Sequence, residues 1–487
     1  MVLLNAKDAE QLGIATHDRV RLAKDDRSVP AIVNTTETFV GPGDIGVFLD
    51  TASEFGIVEG DTVTVTLLPP PTSVQYIKKK MRGEKLTSEE VNSIIKDVVD
   101  RALGEIEITA FVTAEQYHGM GMDEVEALTR AMVRHGSTIE FERPVFDKHS
   151  LGGIPGNKVT LLIVPIVAAA GLLIPKTSSR AITSPSGTAD TMNVLAPVDF
   201  SASELKAIAT KTSGAIIWGG SLNLAPADDI FIGVEYPLQI DPEPQMLASI
   251  MAKKLAVGTD YLVLDLPVGR EAKVETFEQA RSISNQLIEL GERLGVRVKC
   301  GITYGGQPIG YSVGPALEAK EALLALEGRG PTSLVEKSTA LAGLLFELAG
   351  KASKGRGQDL AKELLASEKA LKKMREIIEA QGGNPKVRPD DIPIGEKKAE
   401  IAAPFDGYIT RVSNRAITAI ARAAGAPTEK GAGVVFYGKE GHKVQKDEKI
   451  LEICAERESR LDEAYQLAVK LKPITLEGML LQEIPEL

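Results

Sequence analysis

The run VTLLIVPIVAAAGLLI, Val159 to Ile174, carries no charged side chain, and so much contiguous apolar surface cannot be left in water. A membrane is the first place to put it. The run is shorter than the ~20 residues a helix needs to span a bilayer, and Pro165 interrupts it. It is therefore read as a buried helix, and the polar segments on either side must emerge at the edge of the core it builds. One is DKHSLGGIPGNK, Asp147 to Lys158; the other is TSSRAITSPSGTADTMN, Thr177 to Asn193. With 487 residues the chain exceeds a single core, and about three or four domains are expected.

The composition is that of a soluble globular protein, 43% apolar and 25% charged. A net charge of −11 offers no basic face for nonspecific nucleic-acid binding, so an anion site must draw on local positive groups. Cys300 and Cys454 lie far apart without metal-ligand spacing and cannot make a disulfide framework, which favours a reducing cytoplasmic setting. The start MVLLNAKDAEQ lacks the basic segment and long apolar stretch of a signal peptide.

Near the N-terminus, LGIATHDRVRL at Leu12–Leu22 returns as FGIVEGDTVTV at Phe55–Val65. Each copy has a Gly-Ile, a turn around Asp18 or Asp61, then the alternation of a half-buried strand. Two such halves predict a pseudo-symmetric β-barrel over 1–71, closed off by Pro69-Pro70-Pro71. SEEVNSIIKDVVDRAL, with Ser88 as N-cap, and MDEVEALTRAMVRHG, stopping at Gly136, open a helical domain over 72–150. Leu205 to Leu255 is again helical in pattern, so that domain is expected to be discontinuous and to resume over about 200–255. Strand-like YLVLDLPV and VRVKCGITYG alternate with the amphipathic FEQARSISNQLIELGERLG, which predicts an α/β domain over 151–199 and 256–385. After the polar GGNPKVRPDDIPIGEKK, short strands and one helix predict a small α+β domain over 395–487. The expected fold class is thus multidomain α/β and α+β.

The DKHSLGGIPGNK loop is not a Walker A motif, because Lys158 is followed by Val159 where that motif needs Ser or Thr. General anion chemistry survives. Glycines let backbone N–H groups approach an oxyanion, Lys148 supplies charge and Ser150 a rotatable hydroxyl. The hydroxyl-rich second segment adds Gly187 for close approach and Arg180 for charge. Both stretches also fit ordinary turns and caps without a ligand. Flanking one buried helix-strand unit, they are expected at the same sheet edge, where phosphate loops follow parallel strands.

At these residues the chain resembles the thymidine/pyrimidine nucleoside phosphorylase family. KHS-x-GG, the apolar helix and SSRAITSPSGTAD carry the likeness, through Ser178, Ser179, Arg180, Ala181, Ile182, Gly187, Thr188 and Asp190. GMGMDEVEALTRAM, SLNLAPAD, LASIMAKK and QPIGYSVGPALEAKEAL extend it in order along the chain. Pro185, Ser186 and Asn193 depart from the family pattern. The resemblance implies phosphorolysis, in which inorganic phosphate attacks the anomeric carbon and the base leaves. Lys148, Ser150, Ser178 and Thr188 would hold phosphate, and Ser249 and Lys253 would approach the base. His149 sits at the family's active-site histidine, with a structural role as the alternative.

Where pyrimidine phosphorylases carry an Arg in Y-x-L-R, this sequence reads YPLQIDPEPQ, placing Gln239 there. Asp241 could instead protonate a purine N7 as the glycosidic bond breaks, or could simply cap the following helix. The added N-terminal segment and the SRAITSPSGTAD variant are similar to the archaeal-type AMP phosphorylases of this family. That likeness implies cleavage of nucleoside 5′-monophosphates, with Asp241 as proton donor. It assigns nucleotide contacts to Gly153, Ser179, Arg180, Ala181, Ile182, Thr183, Ser184, Thr188, Ser249 and Lys273, although Lys273 also fits a solvated surface lysine. The expected substrates are AMP (CMP and UMP as alternatives) and phosphate, with no metal, no other cofactor, no membrane and a homodimer or larger assembly. Competing readings are a nucleoside phosphorylase with an extra domain, an Mg²⁺-dependent phosphoribosyltransferase, and a non-catalytic nucleotide sensor or assembly module.

Overall fold

The two Gly-Ile repeats fold alike, each running from a short helix through a left-handed glycine into a strand. In the computed structural model, which describes residues 1–182 and 184–481, the chain begins β1 (Val2–Asn5), α1 (Ala6–Leu12), β2 (Arg19–Lys24) and β3 (Arg27–Thr36). It repeats the theme as β4 (Ile45–Val47), α2 (Leu49–Phe55) and β5 (Thr64–Leu68). Gly13 (φ 65°) and Gly56 (φ 72°) end the helices in a conformation that costs only glycine little. Asp18 accepts from the Ala15 N–H at 2.7 Å and Asp61 from the Val58 N–H at 2.8 Å, tying the same turn twice.

The expected barrel does not close. The sheet runs β4-β1-β3-β2-β5, and its edge strands β4 and β5 do not pair with each other among the described residues. Closure needs a continuous ladder around the ring, and β4 is only three residues long. One face buries Val2, Leu4, Val20, Leu22, Val33 and Phe55.

These elements share a compact unit, Met1–Ser137 with Leu224–Ala256, with a helical bundle. The bundle contains α3 (Ser73–Met81), α4 (Ser88–Val99), α5 (Glu105–His118) and α6 (Met122–Arg134), joined later in the chain by α10 (Pro226–Leu238) and α11 (Glu243–Ala256). Thr87, not Ser88, caps α4. Its hydroxyl accepts from the Glu90 N–H at 3.3 Å while Glu90 accepts from the Thr87 N–H at 2.8 Å, a reciprocal pair that needs Glu three residues on.

Inside the bundle, Lys80 pairs with Glu124 at 2.9 Å, while buried Glu115 has no hydrogen-bond partner for either carboxylate oxygen. Burial, then the charge of Glu235, pushes the Glu115 carboxyl well above the usual range. An acid whose folded pKa is raised stabilises the fold when protonated and loses that contribution as pH climbs above its unfolded value. Glu115→Gln, which cannot ionise, should therefore gain thermal stability relative to the parent as pH rises from 5 to 8. A melting-temperature difference that does not change with pH would remove this assignment.

The second unit comprises Thr138–Asn223 and Val257–Leu487. Its first part alternates β6 (Val145–Ser150), α7 (Thr160–Ala169), β7 (Ile174–Ser178), α8 (Thr188–Met192), α9 (Ala202–Thr212) and β8 (Gly214–Trp218), then β9 (Thr259–Val268), α12 (Phe277–Leu294) and β10 (Arg297–Tyr304). α7 is buried on all sides, including Pro165 within it. β10-β9-β6 and β7-β8 are parallel sheets, and the parallel bridge Val145–Leu173, with Phe146 N–H donating to Leu173 O at 2.8 Å, joins them. Because β8 pairs with β7, the α9–β8 segment belongs to this unit, as does β6. The helical domain is correspondingly shorter than 72–150 and 200–255.

After β11 (Ser312–Val313), helices α13 (Pro315–Leu326), α14 (Thr332–Leu348), α15 (Gly357–Ala366) and α16 (Lys369–Ala380) pack around α7 and α9. The C-terminal domain holds β12 (Lys397–Ala402), β13 (Gly407–Val412), α17 (Asn414–Ala423), β14 (Gly433–Phe436), β15 (Lys443–Val444), β16 (Lys449–Ala455), α18 (Glu458–Leu471) and β17 (Ile474–Glu477). Its sheets run β11-β14-β16-β12 and β15-β13-β17. Cys300 and Cys454 are free, burial pushing both thiols up to about 11. Among the described residues no helix is long and apolar enough to cross a membrane.

Candidate active site

All five parallel strands β6 to β10 end at one edge of the α/β core, and the loops leaving that edge carry the chemistry. DKHSLGGIPGNK begins inside β6, which holds Asp147–Ser150, and runs on into the loop after it, while SSRAITSPSGTAD begins on Ser178, the last residue of β7, so adjacent strands deliver both loops to the same edge. The alternation of β6 places Lys148 and Ser150 on one face and Asp147 and His149 on the other.

On the first face lies a buried polar network. Lys148 donates to the Ser150 hydroxyl, which donates to Asp265 Oδ2 at 2.6 Å from the facing position on β9. Thr303 on β10 donates to Asp265 Oδ1 at 2.6 Å, and the Lys337 ammonium of α14 lies 3.1 Å from Oδ2. Asp265 is fully buried. Burial favours its protonation, but Lys337, Lys148 and the two hydroxyls hold the carboxyl below its ordinary range. The carboxylate therefore fixes the Ser150 rotamer, and through that hydroxyl it orients the Lys148 ammonium. On the second face Asp147 faces Lys176 at 3.5 Å.

The loop's glycines have geometric reasons. Gly153, at φ 86°, lies where a Cβ would come 2.9 Å from the Lys273 backbone nitrogen. At its far end the Lys158 ammonium is buried, donating to Ser312 O at 2.7 Å and Ile309 O at 3.2 Å and pairing with Glu321. This lysine anchors the loop internally. Beside it, burial pushes the Glu318 carboxyl up to about 7.

The hydroxyl-rich loop is shaped by Asp190, which accepts from the Ala181 N–H at 2.7 Å and the Gly187 N–H at 2.9 Å. A Cβ at Gly187 would sit 2.6 Å from Ser179 O and 2.7 Å from Ala181 N, so only glycine fits. Ser178 Oγ, at the end of β7, is buried without a hydrogen-bond partner and is suited to a ligand. Arg180 is engaged internally, 3.0 Å from Asp199, 3.6 Å from Asp190 and stacked over Trp218 at 4.9 Å. Ala181, Ser184 and Thr188 are half-buried, and Ser179, Ile182 and Lys273 are exposed. Thr183 lies outside the described residues.

In the other unit, Ser249 and Lys253 sit one turn apart on α11, Lys253 Nζ lying 3.5 Å from Ser249 Oγ and 2.6 Å from Asp228 Oδ2 on α10. Burial lowers the Lys253 pKa, but Asp228, then Asp229 and Glu235, raise it overall. α10 ends on Gln239 in the left-handed conformation. The first bond of α11, Met246 N–H to Pro242 O at 2.9 Å, makes Pro242 its capping residue, with Asp241 exposed just before it.

Asp265, Thr303 and Lys337 were not singled out by the motifs. The signal was present in YLVLDLPV, where one acid interrupts an otherwise apolar strand. Among the described residues no group of three or more His, Cys, Asp or Glu side chains is placed to hold a metal ion.

Family models match the chain in three segments. The glycosyl transferase family helical bundle domain covers residues 74–136, the a/b domain of that family 142–371, and the pyrimidine nucleoside phosphorylase C-terminal domain 408–475. Among curated relatives, the AMP phosphorylase of Thermococcus kodakarensis is 53% identical over 99% of this chain and 96% of its own length. Those of Pyrococcus furiosus and Methanosarcina mazei are each 52% identical, over 100% and 99% of this chain and 97% and 96% of theirs. The anthranilate phosphoribosyltransferase of Thermus thermophilus aligns with a TM-score of 0.52 at 21% identity, covering 63% of this chain and 98% of that one. That last likeness is one of fold alone.

Proposed function

Since the chain belongs to the AMP phosphorylase family, we propose that it converts AMP and inorganic phosphate into adenine and ribose 1,5-bisphosphate. The observation that carries this reading is the pairing of two polar loops at the carboxyl ends of adjacent parallel strands, β6 and β7, in a chain matched along 99% of its length by relatives bearing that name. In the proposed step a phosphate oxygen forms a bond to C1′ as the C1′–N9 bond breaks. The bonding pair goes to the adenine ring, and Asp241 delivers a proton to N7. Lys148, Ser150, Ser178 and Thr188 hold the attacking phosphate, and the buried unpartnered hydroxyl of Ser178 supports that role.

Gly153, the Ser179–Ser184 loop, Thr188, Ser249, Lys253 and Lys273 contact the nucleotide, Thr183, Ser184 and Lys273 forming the second anion site that a 5′-phosphate demands. His149, on the opposite face of β6 from Lys148, orients the strand rather than touching phosphate. The proposal uses no cofactor beyond the co-substrate phosphate and places a homodimeric or larger enzyme in the cytoplasm. It ranks AMP above CMP and UMP, because the Arg that would meet pyrimidine carbonyls is replaced by Gln239.

The test is base release from AMP, CMP, UMP, adenosine, thymidine and uridine with phosphate, run with and without a chelator. AMP should be cleaved fastest, with activity surviving chelation. Cleavage of thymidine with AMP inert would sink the reading.

A further inference from the structure

Three loops at the carboxyl edge of the sheet are gripped by one short stretch of the C-terminal domain. Glu271, in the loop after β9, adopts φ 61° although it is not glycine. Its carboxylate accepts from the Ser413 hydroxyl at 2.8 Å and the Arg415 N–H at 2.9 Å, and pairs with Arg411. Ser413 is itself the cap of α17, its oxygen accepting from the Ala416 N–H at 3.1 Å, so Glu271 completes a helix cap 142 positions away in sequence. A side chain holds a left-handed conformation of this kind when its surroundings over-determine it.

Next to it, buried Asn414 donates to Gly305 O at 3.0 Å and Arg270 O at 3.4 Å, tying the loop after β10 to the loop after β9. Further along α17, exposed Arg422 donates to Ile182 O at 2.9 Å and Ser184 O at 3.3 Å, in the hydroxyl-rich loop after β7. The gripped loops carry Ser184 and Lys273, the flanks of the second anion site. Ordering such loops only when a ligand arrives would subtract from binding, and anchoring them beforehand removes that cost.

We propose that the segment Arg411–Arg422 is the positioning element of the 5′-phosphate subsite, with Glu271 and Arg422 as the positioning residues that link it to the loops. The inference rests on the nucleotide reading, since an enzyme for uncharged nucleosides has no second anion to position. Neither residue touches the reacting atoms. Their effect should therefore fall on nucleotide binding and leave phosphate binding and the chemical step largely alone.

The experiment measures kcat and separate KM values for AMP and phosphate in the full-length enzyme and in Glu271→Ala, Glu271→Gln and Arg422→Ala, with melting temperatures alongside. Glu271→Ala should raise the KM for AMP about tenfold with the KM for phosphate within about twofold. Glu271→Gln, still able to accept from Arg415 and Ser413, should recover part of the loss. Arg422→Ala, an exposed substitution, should raise the KM for AMP without lowering the melting temperature, and it decides the matter if Glu271→Ala does not fold. Variants that leave the KM for AMP unchanged, or raise both KM values equally, overturn the inference. A parent enzyme that releases no adenine from AMP fails the function reading instead.

Discussion

Asp265→Asn should lower kcat/KM for phosphate by about 10–100-fold, the range typical when a supporting group behind a ligand-binding residue is lost. The carboxylate is the anion at the centre of the network: it holds Ser150 at 2.6 Å and faces Lys337 at 3.1 Å, and Lys148 reaches it through the Ser150 hydroxyl. An amide of the same shape leaves two lysines crowded without their counter-charge and turns an N–H toward a hydroxyl that was donating. Lys148 then keeps its bond to the Ser150 hydroxyl, but that hydroxyl has lost the carboxylate that oriented it. The expected signature is a raised KM for phosphate with little change in the KM for AMP, measured by initial rates over both substrates. A phosphate KM within twofold of the parent would contradict the account. Removing one member of a buried pair also costs about 3–5 kcal/mol in comparable cases, so the melting temperature should fall. The double variant Asp265→Asn/Lys337→Met should regain part of that stability, because one of the two stranded lysines is then gone.

Asp241→Asn should reduce kcat on AMP by about 10²–10⁴-fold, the usual contribution of a positioned general acid. The position allows the role: Pro242, not Asp241, accepts the first backbone bond of α11, and Asp241 just before it is exposed. Loss of rate alone could come from misplacing α11, so the test includes a nucleotide analogue whose base departs without protonation. The variant should cleave that analogue at close to the parent's rate while binding AMP with unchanged affinity by calorimetry. Equal losses on both substrates would remove Asp241 as the donor.

Much of this architecture was legible because it is local. The Gly-Ile repeats, the glycine-rich loop, the apolar α7 and the hydroxyl-rich loop each announce themselves within about twenty residues. Closure of the N-terminal sheet was not legible, since it depends on the length of β4 rather than on the repeat. Residue type alone does not separate Ser88 from its neighbour Thr87 as a cap, and only the spacing to Glu90 does. The supporting groups of the site were hidden by separation: Ser150 meets Asp265 across 115 positions and Glu271 meets Ser413 across 142. No periodicity spans such gaps. What could be read was the oddity of an acid inside YLVLDLPV, and that acid proves to be the centre of the network.

The central claim, that phosphate is a nucleophile toward C1′ and not a group in transit, is tested most directly by phosphorus NMR of the reaction on AMP. The account predicts that free phosphate is consumed in step with adenine release and that the product carries two phosphate resonances, one at C1 and one at C5. Adenine release with ribose 5-phosphate as the only sugar product, and phosphate unconsumed, would mean hydrolysis and contradict it.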